Sequence, residues 1–485
     1  MTPLDSPLLA LTGGYWDGKF HALTGATITV RDPASYEAIA TLPRMGAEHA
    51  TLAVAAAVRA LAAGPPDLER RKRALIAVAD AHDANCDELA RIITAENGKP
   101  LAEAIGEVRY AAGFYRDAVR HVDGLAPRTL AEEPRGCTWR VHARPAGVAA
   151  LITPFNFPLA MLAKKLSAAI AAGCPVVVKP AEKTPLSAIA LFGLLHRLEL
   201  PPGTLNLVYG DAPAIGRVLC EHPAVRVISF TGSTAVGQWL AAACAPHMKR
   251  LSLELGGNAP FVVFADADLD HAAEQLVANK FRCSGQTCVC TNRVLVEASV
   301  AEAFVARVAK RVAALTLGAG AAVGTDVGPL IDRAAFDKVS RHVSDAVERG
   351  ARVVVGGVTA SGGDGVGAFF PPTVLSGVTA EALASQEETF GPLIAVGTFS
   401  GEAEGIARAD DTAYGLAAYV FSADLARLER VAQALHFGHV GLNTATGPTP
   451  EAPFGGMRMS GVGREGGEQG VHEYVEWQTT PIGLP

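Results

Sequence analysis

Cysteine is scarce in this chain. Eight are spread over 485 residues, too few for a disulfide scaffold. Three of them, Cys283, Cys288 and Cys290, crowd one segment, which points to reactive thiols in a reducing compartment. Apolar stretches break off before the roughly 20 residues that a membrane helix requires. Leu166 to Val178 is typical and reads as core. Met1 to Phe20 lack a basic start followed by an apolar core, so no secretory signal is expected and a cytoplasmic location is. Lys and Arg gather only in short groups such as Arg70, Arg71, Lys72 and Arg73, and the net charge is -7. Nucleic acid is therefore not an expected partner, and neither is a membrane. The 50 glycines and 30 prolines are scattered, and no internal repeat appears, which excludes collagenous, linker and low-complexity architectures.

What is present is a large apolar fraction, 49% of the residues, enough for two or three packed units. From about Thr51 to Val122 the apolar residues recur at helical spacing, which predicts a layer of surface helices. From Gly147 the rhythm changes to short apolar runs separated by helical stretches: Val148 to Ile152, Pro175 to Val178, Leu205 to Val208, Arg226 to Phe230 and Leu251 to Leu253. That alternation predicts a parallel sheet with helical crossovers. A second series follows, at Phe261 to Phe264, Val294 to Val296, Arg352 to Val355, Leu393 to Phe399, Ala418 to Phe421 and Val440 to Leu442. Two α/β units in tandem are expected. Ala126 to Arg144 and Val471 to Ile482 fit neither unit and read as extended oligomerisation arms; a local hairpin folded back on its own chain is the alternative.

Chemistry concentrates in a few segments. In Phe281-Arg282-Cys283-Ser284-Gly285-Gln286-Thr287-Cys288-Val289-Cys290 a cysteine sits in a small, polar, glycine-containing loop. There it can act as a nucleophile; taken alone, the segment leaves that and a structural thiol evenly balanced. Leu253-Glu254-Leu255-Gly256-Gly257-Asn258 puts one carboxylate at the end of an apolar strand, where it can swing into a cleft as a general base or simply cap a helix. Thr153-Pro154-Phe155-Asn156-Phe157-Pro158, Lys179 to Pro185 and Ser229 to Thr234 each follow a predicted strand and open a predicted helix, the place where open α/β sheets bind ligands. Gly461 to Gly466 satisfies a GxGxxG spacing but follows no convincing strand, so it is not expected to be a phosphate loop. His436 and His439 lack further ligands at zinc-like spacing, and no metal is expected.

With Glu388-Thr389-Phe390-Gly391-Pro392 and Pro453-Phe454-Gly455-Gly456, these motifs run in order over essentially the whole chain, which resembles the aldehyde dehydrogenase superfamily. The resemblance implies an α/β fold of that kind. A Rossmann-type parallel-sheet NAD-binding domain would span residues 1–124 and 147–256, a second α/β catalytic domain 257–470, and a small β oligomerisation arm 125–146 and 471–485. It implies Cys288 as nucleophile, Glu254 as general base, and Asn156, with the Cys288 backbone N–H, as oxyanion donor. The thiolate adds to the aldehyde, hydride leaves to the nicotinamide, and water activated by Glu254 releases the acid from the thioester.

For the cofactor the resemblance implies Lys179 and Glu182 at the adenosine ribose, Gly232 and Ser233 beside the pyrophosphate, and Glu388 with Phe390 at the nicotinamide ribose. Thr153, Pro154, Phe155, Ala181, Gly210, Phe230 and Leu255 complete that site. Glu182 would repel a 2′-phosphate, which favours NAD over NADP; Lys183 nearby leaves NADP open. The stretches around residues 253–264, 280–293 and 452–466 are most similar to succinate-semialdehyde dehydrogenases. Arg282 matches a carboxylate-binding arginine of that group, with a structural ion pair as its plainer role. The second expected arginine is Lys164 here, and the late loop reads Thr446 to Pro450, with Thr449 where a serine would assist. Glutarate semialdehyde, ketoglutarate semialdehyde and small hydroxyaldehydes stay open as substrates. Cys290 is a redox-switch candidate or a small buried hydrophobe. A homodimer or homotetramer acting on a small-molecule aldehyde is expected. Glu254 speaks against a variant that passes the acyl group to coenzyme A, and the intact set of Cys288, Glu254 and Asn156 against a non-catalytic protein on the same fold.

Overall fold

The computed structural model describes residues 4–132, 134–198, 200–357 and 367–483. Residues 133, 484 and 485 of the predicted arms lie outside them, as do residues 1–3, 199 and 358–366 of the predicted domains. The chain opens with two antiparallel hairpins, β1 (Gly14–Trp16) with β2 (Lys19–His21) and β3 (Thr27–Arg31) with β4 (Ala38–Pro43). Four helices follow: α1 (Ala47–Ala62), α2 (Leu68–Ala84), α3 (Cys86–Asn97) and α4 (Leu101–Val122). The last is not the surface helix that its spacing predicts. Glu107, Val108, Phe114 and Tyr115 are buried because α4 packs between α2 and the first helix of the next unit.

After β5 (Arg128–Thr129) and β6 (Cys137–Pro145) come β7 (Val148–Ile152), α5 (Ala160–Ala172), β8 (Val176–Lys179), α6 (Leu186–Leu195), β9 (Leu205–Leu207), α7 (Ala212–Glu221), β10 (Val225–Thr231), α8 (Thr234–Cys244) and β11 (Arg250–Glu254). β7 to β11 are parallel, in the order β11-β10-β7-β8-β9, and β1 and β2 extend the sheet antiparallel beyond β9. β7 and β8 are buried along their whole length, as apolar runs covered on both faces must be. The register aligns the strand ends that matter: Ile152 pairs with Lys179 and Phe230, and Thr231 pairs with Glu254. All three ligand-loop motifs and the candidate base therefore leave the sheet at one edge.

The second sheet contains β12 (Ala259–Val263), β13 (Thr291–Glu297), β14 (Arg352–Val355), β15 (Thr373–Ser376), β16 (Leu393–Phe399), β17 (Ala417–Phe421) and β18 (His439–Leu442). Its order is β14-β15-β16-β13-β12-β17-β18, parallel except for β14 against β15. β15 is the strand that the sequence pattern misses; flanking prolines and glycine obscure a buried run of four. Helix α9 (Leu269–Phe281), capped by Asp268 accepting from the Asp270 and His271 N–H groups at 3.1 Å, delivers the cysteine loop to the start of β13. One continuous core underlies the first sheet and its helices, while the second is filled by three smaller clusters.

Two short pieces refine the expected organisation. β19 (Gly461–Val462), inside the GxGxxG spacing, pairs antiparallel with β11, Gly461 opposite Glu254. That stretch braces the base's strand from the first sheet, although it falls in the range predicted for the second unit. The predicted arms pair with each other: β20 (Val475–Gly483) runs antiparallel to β6 over nine residue pairs, with β5 on the far side. Both predicted arms thus enter one three-stranded sheet, in the order β20-β6-β5.

Candidate active site

The carboxyl edge of the first sheet faces the cysteine loop across a cavity of about 990 Å³. Cys288, Glu254 and Asn156 all line it, although they stand 34 to 132 positions apart in sequence. Cys288 sits on the loop between α9 and β13. Burial, followed by the charges of Glu388 and Glu254, pushes its thiol up to about 12, and Lys164 pulls the other way. Glu254 ends β11. Neither of its carboxylate oxygens has a hydrogen-bond partner among the described residues, and burial, reinforced by the charge of Glu465, holds its carboxyl well above the ordinary range. A Cβ at Gly455 would lie 2.9 Å from Glu254 Oε1, so glycine there leaves the side chain room to move. A buried carboxyl without hydrogen-bond donors is costly, and a water molecule to deprotonate would relieve that cost.

The loop that carries Cys288 is tightly tied. Cys283 and Ser284 both adopt positive φ, 50° and 57°, a conformation that non-glycine residues hold only under constraint. The constraints are visible. Glu103 accepts the Cys283 N–H at 2.7 Å, Ser284 Oγ donates to the Gly328 carbonyl at 2.8 Å, and Gln286 Oε1 accepts the Ile331 N–H at 3.0 Å. Asn156 Nδ2 donates to the Gln286 carbonyl at 2.7 Å, which turns the amide toward the loop and leaves its second N–H for an oxyanion. The Asn156 carbonyl accepts from Lys99 Nζ at 2.6 Å. Lys99 is paired at 2.6 Å with Glu107, whose other oxygen accepts the Leu159 and Ala160 N–H groups at 2.9 and 3.2 Å, at the start of α5.

Most of the expected cofactor residues line the same cavity: Thr153, Pro154, Phe155, Lys179, Ala181, Glu182, Phe230, Gly232, Ser233, Leu255, Glu388 and Phe390. Lys179 is ion-paired with Glu182, and Lys183 with Asp332. Ser233 caps α8 by accepting the Val236 N–H at 3.4 Å, so the positive end of an eleven-residue helix opens where a pyrophosphate would rest. Glu388 accepts the Gly257 N–H at 3.0 Å, and Phe390 meets Phe155 edge-on, centroids 5.9 Å apart. The buried hydroxyls of Thr153 and Thr231 have no partner among the described residues, which fits a dinucleotide with hydrogen bonds to offer.

Three expected residues are not in the cavity lining. Gly210 bridges to Met45, and a Cβ there would lie 2.5 Å from the Met45 nitrogen; its glycine is required by chain packing, while Ala212 two residues on does line the cavity. Thr449 turns its hydroxyl to Glu451, leaving Thr446, Gly447 and Pro448 to face the cavity. Cys290 is buried outside it, its Sγ donating to the Gly285 carbonyl at 3.3 Å and lying 3.7 Å from Lys280 Nζ. All eight cysteines are free.

At the substrate end Arg282 is exposed to the cavity, 5.4 Å from the Phe157 ring, and forms no ion pair with any described residue. Lys164 also lines the cavity but is buried. The sequence reading misses Glu103, Glu107 and Tyr110, which share one face of α4 at helical spacing and also line it. Polar residues repeating on an otherwise apolar helix face are the signal that could have found them. His436 and His439 are each engaged locally, with Asp410 at 3.0 Å and the Thr446 carbonyl at 2.9 Å.

A thiol and an unpartnered carboxyl thus face one cavity, lined also by most of the residues expected to hold a dinucleotide. The profile of the aldehyde dehydrogenase family matches residues 20–480, and the chain belongs to that family; it acts on aldehydes with NAD(P) as acceptor. It is 45% identical over 480 residues to succinate-semialdehyde dehydrogenase (NADP(+)) GabD of Escherichia coli (strain K12), covering 98% of each chain. It is 46% identical over 464 residues to glutarate-semialdehyde dehydrogenase of Pseudomonas aeruginosa, covering 95% of each. The crystal structure of an oxidoreductase from Marinobacter aquaeolei superposes with a TM-score of 0.97 at 52% identity, over 99% of this chain and 100% of that one. No helix among the described residues is long and apolar enough to cross a membrane.

Proposed function

We propose that this aldehyde dehydrogenase oxidises a carboxylate-bearing semialdehyde, with succinate semialdehyde to succinate as the leading case. Arg282 carries the reading: an unpaired guanidinium facing the cavity that holds Cys288. A planar guanidinium grips a carboxylate through two parallel hydrogen bonds, and an arginine with no ion pair among the described residues is free to do so. Two relatives named for semialdehydes of different length support the same end group.

In this reading the Cys288 thiolate adds to the aldehyde carbon. Asn156 and the Cys288 N–H hold the resulting oxyanion. The bound cofactor supplies an acceptor for the departing hydride, and Cys288 is left as a thioester. Glu254 then takes a proton from water, the hydroxyl attacks the acyl carbon, and the carboxylic acid leaves with the sulfur freed. Residues 1–124 with 147–256 hold the dinucleotide, 257–470 supply the nucleophile, and the β5-β6-β20 sheet, with β5 and most of β20 exposed, serves contacts in a dimer or tetramer. Glu182 at the ribose, with Lys183 committed to Asp332, supports NAD over NADP. Eight free cysteines support a reducing, cytoplasmic setting.

The test compares kcat/KM for succinate semialdehyde with that for an uncharged aldehyde of equal length. The charged substrate should be preferred by about 10- to 100-fold, the worth of charge-assisted hydrogen bonds, and Arg282→Ala should remove that preference chiefly through KM. Equal kcat/KM for the two aldehydes, unchanged in Arg282→Ala, would rule out the carboxylate clamp.

A further inference from the structure

The two cations of the cavity sit in different surroundings. Arg282 is exposed and its neighbours are the Phe157 ring and Gly447. Lys164, on α5, is buried, and its ammonium lies 4.6 Å from the Phe454 ring centroid and 5.5 Å from that of Phe114. Among the described residues it has no hydrogen-bond acceptor and no ion-pair partner. A buried ammonium held by aromatic faces alone is only partly solvated. Its field reaches the groups around it: Tyr110 from α4, Glu254 from the end of β11, Glu465 beyond β19, and Cys288 from the nucleophile loop. Burial pulls the ammonium's own ionisation down, and the acidic groups around it, Tyr110 and Glu465 foremost, pull it up past the usual lysine range. Burial first, then Glu388, Glu254 and Cys290, disfavour a thiolate at Cys288, with Lys164 the cation opposing them.

We propose that Lys164 serves the sulfur rather than the substrate's far end: it is the positioning cation that makes the Cys288 thiolate accessible, leaving carboxylate recognition to Arg282. The proton leaves Sγ for water or for the Glu254 carboxylate, and the ammonium balances the charge left on sulfur without itself gaining or losing a proton. The position fits that task. A lysine is a compact point charge, and here it is buried and lines the same cavity as Glu254 and Cys288. An arriving carboxylate meets the exposed Arg282 without having to displace an aromatic cage.

This inference rests on Cys288 being the nucleophile, so the experiment separates the two. The rate of inactivation by iodoacetamide, a neutral reagent, is followed against pH in the parent, Lys164→Met, Lys164→Arg and Arg282→Ala, with alkylation of Cys288 followed by mass spectrometry. A nearby opposite charge changes an ionisation constant by about ten- to a thousand-fold. Lys164→Met should therefore be inactivated about tenfold or more slowly at pH 8, with its profile displaced to higher pH, while Lys164→Arg keeps most of the parent's reactivity and Arg282→Ala keeps all of it. If Lys164→Met does not fold, Lys164→Gln carries the same expectation. A Lys164→Met profile that overlays the parent's, with only KM for the charged aldehyde raised, would overturn the proposal and make Lys164 a second arm of the clamp. So would an equal displacement in Arg282→Ala. Full dehydrogenase activity in Cys288→Ser would instead remove the nucleophile assignment on which both readings depend.

Discussion

Cys288 and Glu254, the proposed nucleophile and base, are supported in opposite ways. Cys288 stands on a loop with two residues at positive φ, held by hydrogen bonds from three separate parts of the chain, Glu103, Asn156 and the segment 328–331. Glu254 stands on a strand whose backbone is fixed on both sides, by β10 and β19, but whose carboxylate touches no donor and borders a glycine. The loop that carries Cys288 is tied at Cys283, Ser284 and Gln286, whereas the Glu254 carboxylate has no hydrogen-bond partner among the described residues. The reaction explains the contrast. A sulfur atom must attack one carbon in one geometry, whereas the base must stay clear during that attack and reach a water molecule afterwards.

Substitutions at either support test this contrast. The largest effect is expected from Cys288→Ser, which should reduce turnover to background while leaving dinucleotide binding, read by fluorescence titration, close to the parent's. A change confined to binding would contradict the assignment. Asn156→Ala removes one oxyanion donor and the link to Gln286, and kcat should fall by about 10²- to 10³-fold; a fall in KM terms alone would show that Asn156 only shapes the pocket. Lys99→Met leaves Glu107 buried and unpaired, and a pair broken in that way costs about 3–5 kcal/mol. Chemical denaturation should show that loss, and kcat should drop as well because Lys99 holds the Asn156 carbonyl.

The smallest effect concerns the base. Glu254 titrates above an ordinary carboxyl because of burial first and the Glu465 charge second. Since the base acts deprotonated, hydrolysis gains with rising pH. Glu465→Gln removes the repelling charge and frees Lys165 from its ion pair. Both changes ease deprotonation, so the acid limb of the kcat profile should move to lower pH. A limb that stays in place would mean that another group titrates.

Much of this arrangement is written in short segments. The strand runs at 148–152 and 393–399 are legible because buried parallel strands are continuously apolar, and the motif loops follow because they leave those strands at one end. Cys288, Glu254 and Asn156 are legible as a set, through residue type and order. What sequence cannot carry is side-chain direction. Thr449 and Pro448 are neighbours, yet one turns to Glu451 and the other to the cavity. Lys164 and Arg282 read as equivalent cations until burial separates them. The supporting network of Lys99, Glu103 and Glu107 escapes because its partners lie 52 to 180 positions away, and β15 escapes because four residues are too few to show a period.

The division of labour proposed for Cys288 and Glu254 is tested most directly by rapid mixing of Glu254→Gln with NAD and succinate semialdehyde. Acylation needs only Cys288 and its oxyanion donors, so a stoichiometric burst of NADH should appear. Steady turnover should then be slower than the parent's by about 10²- to 10⁴-fold, the usual share of a general base, with succinyl mass retained on the Cys288 peptide. Steady turnover at the parent's rate, or acylation of a residue other than Cys288, would contradict it.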